Sequence, residues 1–543
     1  MSGILPETVS MRTRDGVRLD ADLYRPPGEG PFPVLLMRQP YGRRIASTVT
    51  YAHPSWYADR GYLVVIQDVR GRGTSEGEFE PFIHERDDGE DTLEWLTTLP
   101  DSNGRVGMYG FSYQGATQLF AAASRHPALK VMAPAMCAFH LQRDWAYEGG
   151  ALRLYNTMSW AAQLGAETAR REGDADRFST CYGIGHGPSA AQLIDPAAPA
   201  LREALAGTFY GDWLDQPLDS GYWVERSPGA MLEGVDIPAL HVGGWYDCFL
   251  TGTLAAFRHF QQGRQPQRLL VGPWGHLPWI PQVGQRWFGD SACSPVDDLQ
   301  LRWFDHFLKE QNNGVTDETP VSLYDLGERR WRDFADWPRQ PSVKQYLVSN
   351  GRAGIEPHGG FLSAEPVATD LIEDVWVHDP WRPVPTVGGH LPPSPGIQDR
   401  TAVDARPDVL TYTSAPLSED LFLAGEVRAT LHGAADMASY DLNAVLCEVD
   451  RQGRSHNLTQ GHVRVSGDGS ATVPLRALCA TVAAGHRLRL SISGACYPGY
   501  ALNDGSGRVQ GDSRSCDYPI MTLRLLASES WLELPVVSAT DQG

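Results

Sequence analysis

Three residues of this 543-residue chain have the side-chain types that nucleophilic acyl transfer requires. Ser112 lies in MYGFSYQG (108–115), Asp247 in HVGGWYDCFL and His276 in LLVGPWGHLP. A serine hydroxyl is a weak nucleophile at neutral pH, so it needs a histidine to take its proton and a carboxylate to orient that histidine. These residues raise the hypothesis of a Ser–His–Asp triad.

The stretch around Ser112 has two interpretations. In a Gly-x-Ser-x-Gly turn the serine stands above a sheet edge, and the amide of the next residue, here Tyr113, points to where an oxyanion would form. The second glycine here, Gly115, comes one residue later than in that pattern. A serine at the start of a helix also caps a free backbone amide, so the stretch alone leaves both interpretations open.

Asp247 and His276 each follow a predicted buried strand, at 238–244 and 268–274. As alternatives, Asp247 caps the next helix and His276 is a surface or packing residue in a Pro-Trp-Gly loop. The order serine, acid, histidine, with each residue at a strand end, favours the triad.

Asp68 is a rival acid, since it follows the apolar run 62–67. It precedes Ser112 in the chain, and Arg70 and Arg72 stand close to it in QDVRGRGTSEG. We therefore expect Asp68 to belong to a structural ion-pair network with these two arginines.

The elements that position these residues alternate between strand and helix. Val9 to Leu23 predicts a hairpin around Asp15-Gly16. Short apolar runs predict buried strands at 33–37, 62–69, 106–110, 130–138, 238–244 and 268–274, and helical patterns occupy 87–99, 113–127, 251–263 and 298–314. This alternation predicts an α/β fold with a parallel sheet.

Two regions depart from that rhythm. From about 139 to 234 the chain has aromatic-rich helical pieces and no strand run, which indicates an insertion above the sheet. After Pro338, short alternating segments separated by Gly, Asp, Pro and Ser predict an all-β sandwich, with a long connection at 380–407.

Composition excludes several classes of function. The formal net charge of −20 repels nucleic acid and anionic membrane surfaces. No basic and apolar leader and no apolar run of about 18 residues is found, so we expect a cytoplasmic protein. The eight scattered cysteines predict reduced structural thiols. No metal or nucleotide motif stands in a fitting context, and we expect no cofactor and no metal.

GMYGFSYQG, GGWYDCF and VGPWGH resemble the three active-site blocks of the X-Pro dipeptidyl-peptidase and cocaine esterase family of serine hydrolases. The family's turn is typically Gly-x-Ser-Tyr-x-Gly, so the late glycine matches its form. Further similar segments are MRQPYGR (37–43), QDVRGRGTSEGEF (67–79), LQLRWFDHFLK (299–309) and RPDVLTYTSAPL (406–417). The loop CYPGYALNDGSG (496–507) resembles the family's only loosely.

The resemblance implies a role for several residues. Ser112 would be the nucleophile, His276 the general base and acid, and Asp247 the orienting carboxylate. Tyr41 in RQPYGR would donate its hydroxyl to the oxyanion beside the amide of Tyr113; the alternative is an ordinary loop aromatic.

Three residues of the insertion are candidates for the substrate pocket. Trp145 and Tyr147 would form pocket wall, with core packing as the alternative. Asp144 would anchor a substrate ammonium, but we favour a solvated carboxylate at that position.

The fold class expected is α/β: an α/β-hydrolase domain with an inserted helical cap and a C-terminal all-β jelly-roll domain. The predicted boundaries are 1–140 and 236–340 for the two parts of the hydrolase domain, 141–235 for the cap and 341–543 for the jelly-roll.

The function expected is hydrolysis of a small-molecule ester or amide through an acyl-enzyme. One alternative is X-Pro dipeptidyl-peptidase or amidase activity on a peptide or amino-acid derivative. The other is a non-hydrolytic protein, either a binding module or a catalyst of elimination on a specialised metabolite. We expect a small-molecule substrate, no nucleic acid and no membrane as partners, and self-association into a homo-oligomer is left open.

Overall fold

The computed structural model describes residues 4–45, 48–339, 342–367 and 372–537. In the first 135 residues the elements are β1 (Glu7–Arg12), β2 (Arg18–Tyr24), β3 (Phe32–Gln39), α1 (Pro54–Ala58), β4 (Leu63–Asp68), α2 (Glu85–Thr97), β5 (Ser102–Phe111), α3 (Tyr113–Ala123) and β6 (Leu129–Ala135). The next segment contains β7 (Tyr147–Glu148), β8 (Ala151–Leu152), α4 (Leu154–Glu172), α5 (Ala175–His186), α6 (Ala190–Ile194), α7 (Pro199–Ala204), α8 (Tyr210–Asp215) and α9 (Gly221–Glu225).

The chain then returns to strands and helices in alternation. These are β9 (Ala239–Tyr246), α10 (Leu250–Phe260), β10 (Gln267–Gly275), β11 (Gln282–Val283), β12 (Arg286–Trp287), α11 (Val296–Lys309), β13 (Val321–Asp325) and β14 (Arg330–Phe334). The helix predicted over 298–314 ends earlier, at Lys309, because Glu310 adopts a left-handed backbone with φ of 57°.

The remaining elements are almost entirely strands. They are β15 (Val343–Ser349), β16 (Gly360–Ser363), β17 (Glu373–His378), α12 (Thr401–Asp404), β18 (Val409–Thr413), β19 (Leu421–Ala435), β20 (Ser439–Val449), β21 (Ser455–Ser466), β22 (Gly469–Val482), β23 (Arg487–Ser493), β24 (Met521–Leu526) and β25 (Trp531–Leu534).

Among the described residues, ten strands form one sheet in the order β1-β2-β4-β3-β5-β6-β9-β10-β13-β14. The seven strands from β4 to β13 in this order are parallel to one another, whereas β1, β2 and β14 at the two ends pair antiparallel. The hairpin predicted around Asp15-Gly16 joins β1 to β2. The parallel strands therefore end at one edge, where the sequence predicts the site.

Helices cover both faces of this sheet, which explains the apolar runs of its strands. Side chains of β3 alternate between two separate cores: Leu35 and Met37 pack with Phe304 of α11, while Val34 and Leu36 pack with Leu119 of α3. A strand buried on both faces has no polar positions to alternate with, so it appears in the sequence as a continuous apolar run.

The segment from β7 to α9 forms the helical cap. Its β7–β8 hairpin packs directly on β21, where Arg464 donates its backbone N–H to the carbonyl of Gly149 at 2.7 Å. Gly149 has φ of 54°, and a Cβ there would lie 2.1 Å from the carbonyl oxygen of His462. Only glycine permits this approach, so the cap and the C-terminal strands meet backbone to backbone.

Within the described part of the C-terminal region, eleven strands form one mainly antiparallel sheet, whose apolar core is continuous with buried side chains of β9, α10, β10 and β13. Inward side chains of four long strands meet there, among them Leu431, Leu442, Leu475 and Leu490. The expected fold class, an α/β-hydrolase domain with a helical cap and a C-terminal jelly-roll, is confirmed. The boundaries at 140, 235 and 340 stay predictions.

Over the described ranges, no helix has both the length and the apolar character needed to cross a bilayer. All eight cysteines lie in these ranges and none is paired in a disulfide. That the thiols are reduced stays a prediction.

Candidate active site

Ser112 stands between the end of β5 and the start of α3. Its backbone has φ of 61° and ψ of −127°, a conformation that L-residues rarely adopt. Its N–H donates to the carbonyls of Ala135 and Met136, at 2.9 and 3.1 Å, which holds the turn against the end of β6. Its hydroxyl makes no capping hydrogen bond to the helix, so the capping interpretation does not explain this serine. Strain of this kind concentrates at functional sites.

The late glycine has a packing cause. A Cβ at Gly115 would lie 2.8 Å from both the carbonyl oxygen of Ala135 and the Cβ of Cys137, so the first turn of α3 rests directly on the end of β6. Gln114 occupies the position where the common pattern has glycine, and its Oε1 accepts from the N–H of Phe111 at 3.3 Å. The Gln114 side chain therefore binds the turn to the end of β5, a contact that a glycine at this position could not make.

Asp247 and His276 are in direct contact. They follow β9 and β10, which are parallel neighbours in the sheet, and Asp247 Oδ1 lies 2.8 Å from His276 Nδ1. An ionised carboxylate can only accept, so this contact assigns a proton to Nδ1 and leaves Nε2 free to act as a base. The carboxylate is fully buried, whereas a quarter of the histidine side chain is exposed.

The ring of His276 lies beside the nucleophile turn. It packs on Phe111, the residue before Ser112, with ring centroids 5.3 Å apart, and on Phe249 at 5.0 Å. The indole of Trp279 donates to the carbonyl of His276 at 3.1 Å. The histidine is therefore packed between two aromatic side chains, one of which, Phe111, directly precedes Ser112.

Asp247, Cys248 and His276 also bring three ligand atoms within 4.8 Å of one another, the one such group found among the described residues. A cysteine binds metal as the thiolate. Burial raises the pKa of the Cys248 thiol to about 12, which keeps it protonated at neutral pH. The chemistry of this donor set fits a carboxylate–histidine pair better than a metal site.

Tyr41 follows β3 and reaches the same edge. Burial raises the pKa of its phenol to about 12, and hydrogen bonds with Trp160 and Ser112 lower it in part. The indole of Trp160 donates to the Tyr41 oxygen at 3.2 Å. The Tyr41 oxygen is therefore engaged by the cap, and its role in an oxyanion hole stays a prediction.

Tyr113 is held by its own side chain. Its hydroxyl donates to Glu85 Oε1 at 2.8 Å and accepts from the N–H of Phe82 at 3.1 Å. The other oxygen of Glu85 accepts from Arg38 at 2.9 Å. Since the amide of Tyr113 belongs to the first turn of α3, it has no partner within the helix and is free to donate outward.

The loop that carries Tyr41 is fixed by Asp68, and the expected network of Asp68 with Arg70 and Arg72 is wrong. Asp68 Oδ1 accepts from the backbone N–H of Arg43 at 2.7 Å, and Oδ2 pairs with its guanidinium. Arg70 pairs with other carboxylates, and Arg72 donates to the carbonyl of Leu164 in the cap. The nearest arginine in space is thus not the nearest in sequence.

Aromatic side chains surround this edge of the sheet. Trp145 packs on Phe249 at 4.4 Å and on Trp160 at 4.7 Å between ring centroids. Trp145 is itself almost fully buried, while Trp160 is partly exposed. Tyr147 has the contacts of a core residue: its hydroxyl donates to the carbonyl of Trp213 at 2.6 Å. Its assignment to the pocket stays a prediction.

Asp144 is not the solvated carboxylate that we favoured. It is fully buried in a π-helical turn at Gln142–Ala146, and its Oδ2 accepts from the backbone N–H groups of Phe139 and His140, at 3.1 and 2.7 Å. The carboxylate thereby binds the backbone just before this turn. The prediction of a solvated group is wrong because the chain folds back over it within five residues.

Sequence reasoning missed Trp160, Phe249 and Glu85 as neighbours of the site. Phe249 stands two residues after Asp247, so its position near a strand end could have identified it as a neighbour of the site. Trp160 lies on the amphipathic α4, and the sequence does not distinguish it from the other aromatic residues of the cap. No local pattern connects Glu85 with Tyr113.

A strained serine between strand and helix, with an Asp–His pair at later strand ends of the same parallel sheet, characterises the serine hydrolases of the α/β-hydrolase class. The profile of the X-Pro dipeptidyl-peptidase (S15 family) matches residues 15–278, and that of the X-Pro dipeptidyl-peptidase C-terminal non-catalytic domain matches residues 313–521. The chain is 32% identical to the cocaine esterase of Rhodococcus sp. (strain MB1 Bresler) over 532 residues, covering 92% of each protein.

Solved structures share the whole fold. An aminopeptidase from a marine sediment Thaumarchaeota archaeon superimposes with a TM-score of 0.81 at 22% identity, and an α-amino acid ester hydrolase with 0.77 at 24%. Each alignment covers 98% of this chain and 96% of the other. The chain belongs to the X-Pro dipeptidyl-peptidase and cocaine esterase family and is a serine hydrolase.

Proposed function

We propose that this serine hydrolase cleaves a small-molecule ester by acyl transfer to Ser112. The observation that supports this most directly is the 2.8 Å contact between Asp247 and His276 at the strand edge where Ser112 occupies its strained turn. A carboxylate that holds one imidazole nitrogen leaves the other to accept the serine proton.

The reaction proceeds in two steps. His276 Nε2 takes the proton from Ser112 Oγ, which attacks the ester carbonyl, and the hydroxyl of Tyr41 and the amide of Tyr113 stabilise the oxyanion. His276 then protonates the leaving alcohol as the bond to it breaks. Water repeats the sequence on the acyl-enzyme and releases the acid.

The surroundings favour an apolar ester over a charged amine. Trp160 is the partly exposed member of an aromatic cluster beside His276, in which Trp145 and Phe249 are buried, and aromatic side chains of this kind bind apolar groups. Asp144, the one acid that we could name as an amine anchor, already accepts two backbone N–H groups and is fully buried. The similarity to a protein named cocaine esterase supports the same choice.

A fluorophosphonate probe tests the nucleophile. We expect labelling of the wild type, none of Ser112→Ala, and unchanged labelling of Ser124→Ala, a control at the far end of the same helix whose hydroxyl donates to the carbonyl of Ala121. Mass analysis after a brief reaction with a p-nitrophenyl ester should find the acyl group on Ser112. Equal labelling of Ser112→Ala would refute the assignment.

Action on amides is the alternative that the family name carries. A panel of p-nitrophenyl esters against X-Pro anilides separates the two, and turnover of anilides alone would remove the esterase preference. Failure of well-folded protein to react with the probe would instead favour a binding module. A product formed by elimination, without an acyl-enzyme, would favour a non-hydrolytic use of His276.

A further inference from the structure

The segment that follows β9 is held by two buried arginines from other parts of the chain. Arg153 precedes α4 in the cap, and Arg476 belongs to β22 of the jelly-roll. Both donate to backbone carbonyls of the residue pair Asp247 and Cys248. Glu148 of the cap hairpin pairs with both guanidinium groups.

The two arginines share their acceptors. Arg476 donates to the carbonyl of Asp247 at 3.1 Å and to that of Cys248 at 3.0 Å. Arg153 donates to the same Cys248 carbonyl at 2.9 Å. One carboxylate oxygen of Glu148 lies 3.1 Å from Arg476 and 2.9 Å from Arg153. A single residue pair of the hydrolase domain is thus bound by both of the other parts of the molecule.

Glu148 offsets one of the two guanidinium charges of this cluster. Burial by itself raises the pKa of Glu148, but His390, Arg476 and Arg153 hold it well below its usual range. Burial and Arg476 lower the pKa of His390, which lies 2.9 Å from Glu148, to about 4. At neutral pH the cluster therefore contains one carboxylate, two guanidinium groups and a neutral imidazole.

The side chain of Asp247 has little else to orient it. Its Oδ1 contacts His276, and within the described residues its Oδ2 has no hydrogen-bond partner. The direction of the carboxylate consequently depends on the backbone that carries it. That backbone accepts from Arg476 and from the N–H of Leu250, at 3.1 and 3.3 Å.

We propose that Arg476 is a positioning residue for Asp247: the jelly-roll fixes the backbone of the acid and thereby the orientation of His276. The inference rests on the proposed function of these two residues. Arginine suits this position because its planar fork reaches two carbonyls and a carboxylate at once, whereas the single ammonium of lysine cannot.

A double-mutant cycle tests the proposal. Arg476→Lys keeps the charge and removes the fork, and a displacement of a catalytic group by about 1 Å costs up to about 100-fold in rate. We expect kcat on a p-nitrophenyl ester to fall by about 10- to 100-fold with KM changed less than about threefold. In an Asp247→Asn background the same change should cost less than about threefold, because residues that act as a unit are non-additive.

Arg464→Lys is the matched control. Arg464 is a largely buried arginine of the same domain, paired with Asp441 rather than with the Asp247 segment, and its substitution should leave kcat nearly unchanged in both backgrounds. If Arg476→Lys does not fold, Arg153→Lys provides the same comparison through the Cys248 carbonyl. Melting temperatures identify variants that are folded.

Two results would overturn the proposal: an unchanged kcat in folded Arg476→Lys, or an equal loss with and without the Asp247 carboxylate. The second result would indicate a general structural role. Failure of the proposed function is distinguished by the single variant Asp247→Asn, which would then keep its activity.

Discussion

Tyr41→Phe removes one hydroxyl from the predicted oxyanion hole. The phenol ring stays, so the aromatic packing around it is conserved. Loss of one of two oxyanion donors costs about 100- to 1000-fold in kcat, or about 2.7–4 kcal/mol. The Trp160 indole, which donates to the Tyr41 oxygen at 3.2 Å, engages the oxygen and leaves the hydroxyl proton for the substrate. KM should change little because the donor acts mainly on charge that develops in the transition state.

The cost in stability should be much smaller. Trp160 loses an acceptor, and a neutral hydrogen bond contributes about 0.5–1.5 kcal/mol, but Trp160 is partly exposed and water can replace the phenol. The assay is steady-state hydrolysis of a p-nitrophenyl ester beside urea unfolding of the same protein. A large loss in kcat with a small loss in stability would assign the hydroxyl to catalysis.

Tyr109→Phe is the control. Tyr109 is fully buried in β5 and its hydroxyl has no hydrogen-bond partner within the described residues, so its removal should leave kcat within about twofold and cost no stability. A kcat of Tyr41→Phe within about threefold of the wild type would refute the role of Tyr41. The same loss in both variants would refute the reasoning from hydrogen-bond geometry.

Three further outcomes follow from the same geometry. Asp247→Asn should lower kcat by about 10⁴-fold with little change in melting temperature, because an amide favours the wrong imidazole tautomer; a loss below tenfold contradicts the triad. Burial raises the pKa of Tyr41 to about 12, so its phenol stays protonated and kcat should not fall between about pH 8 and 10.5; a fall in that range that Tyr41→Phe abolishes contradicts this. Gly115→Ala should lower the free energy of unfolding in urea by about 1–3 kcal/mol and slow fluorophosphonate labelling, because the new Cβ would lie 2.8 Å from the carbonyl oxygen of Ala135. The control is Gly183→Ala, which has open space around the added Cβ and should show neither effect.

The sequence predicted the features that arise from local patterns. The apolar runs indicated strands buried on both faces, and β3 is one of them, with alternate side chains in two cores. Because parallel strands end at one edge, strand ends alone were enough to bring Asp247 and His276 together.

Contacts between distant parts of the chain could not be predicted in this way. Asp68, the last residue of β4, pairs with Arg43 in the loop after β3 rather than with the arginines two and four residues away. Asp144 is buried by a turn that no periodicity describes. Arg476 lies in an alternating strand, and nothing in its neighbours indicates that it reaches Asp247, 229 residues earlier.

That separation has a consequence for synthesis of the protein on the ribosome. At about 5–20 residues per second, the 229 residues from Asp247 to Arg476 take roughly 11–46 s to translate. Once His276 has been made, 29 residues into that interval, Ser112, Asp247 and His276 are all present, but the arginine from β22 that binds the acid's backbone is not. A nascent chain stalled before residue 476 would carry all three residues of the proposed triad without that contact, so hydrolytic activity should appear only late in translation.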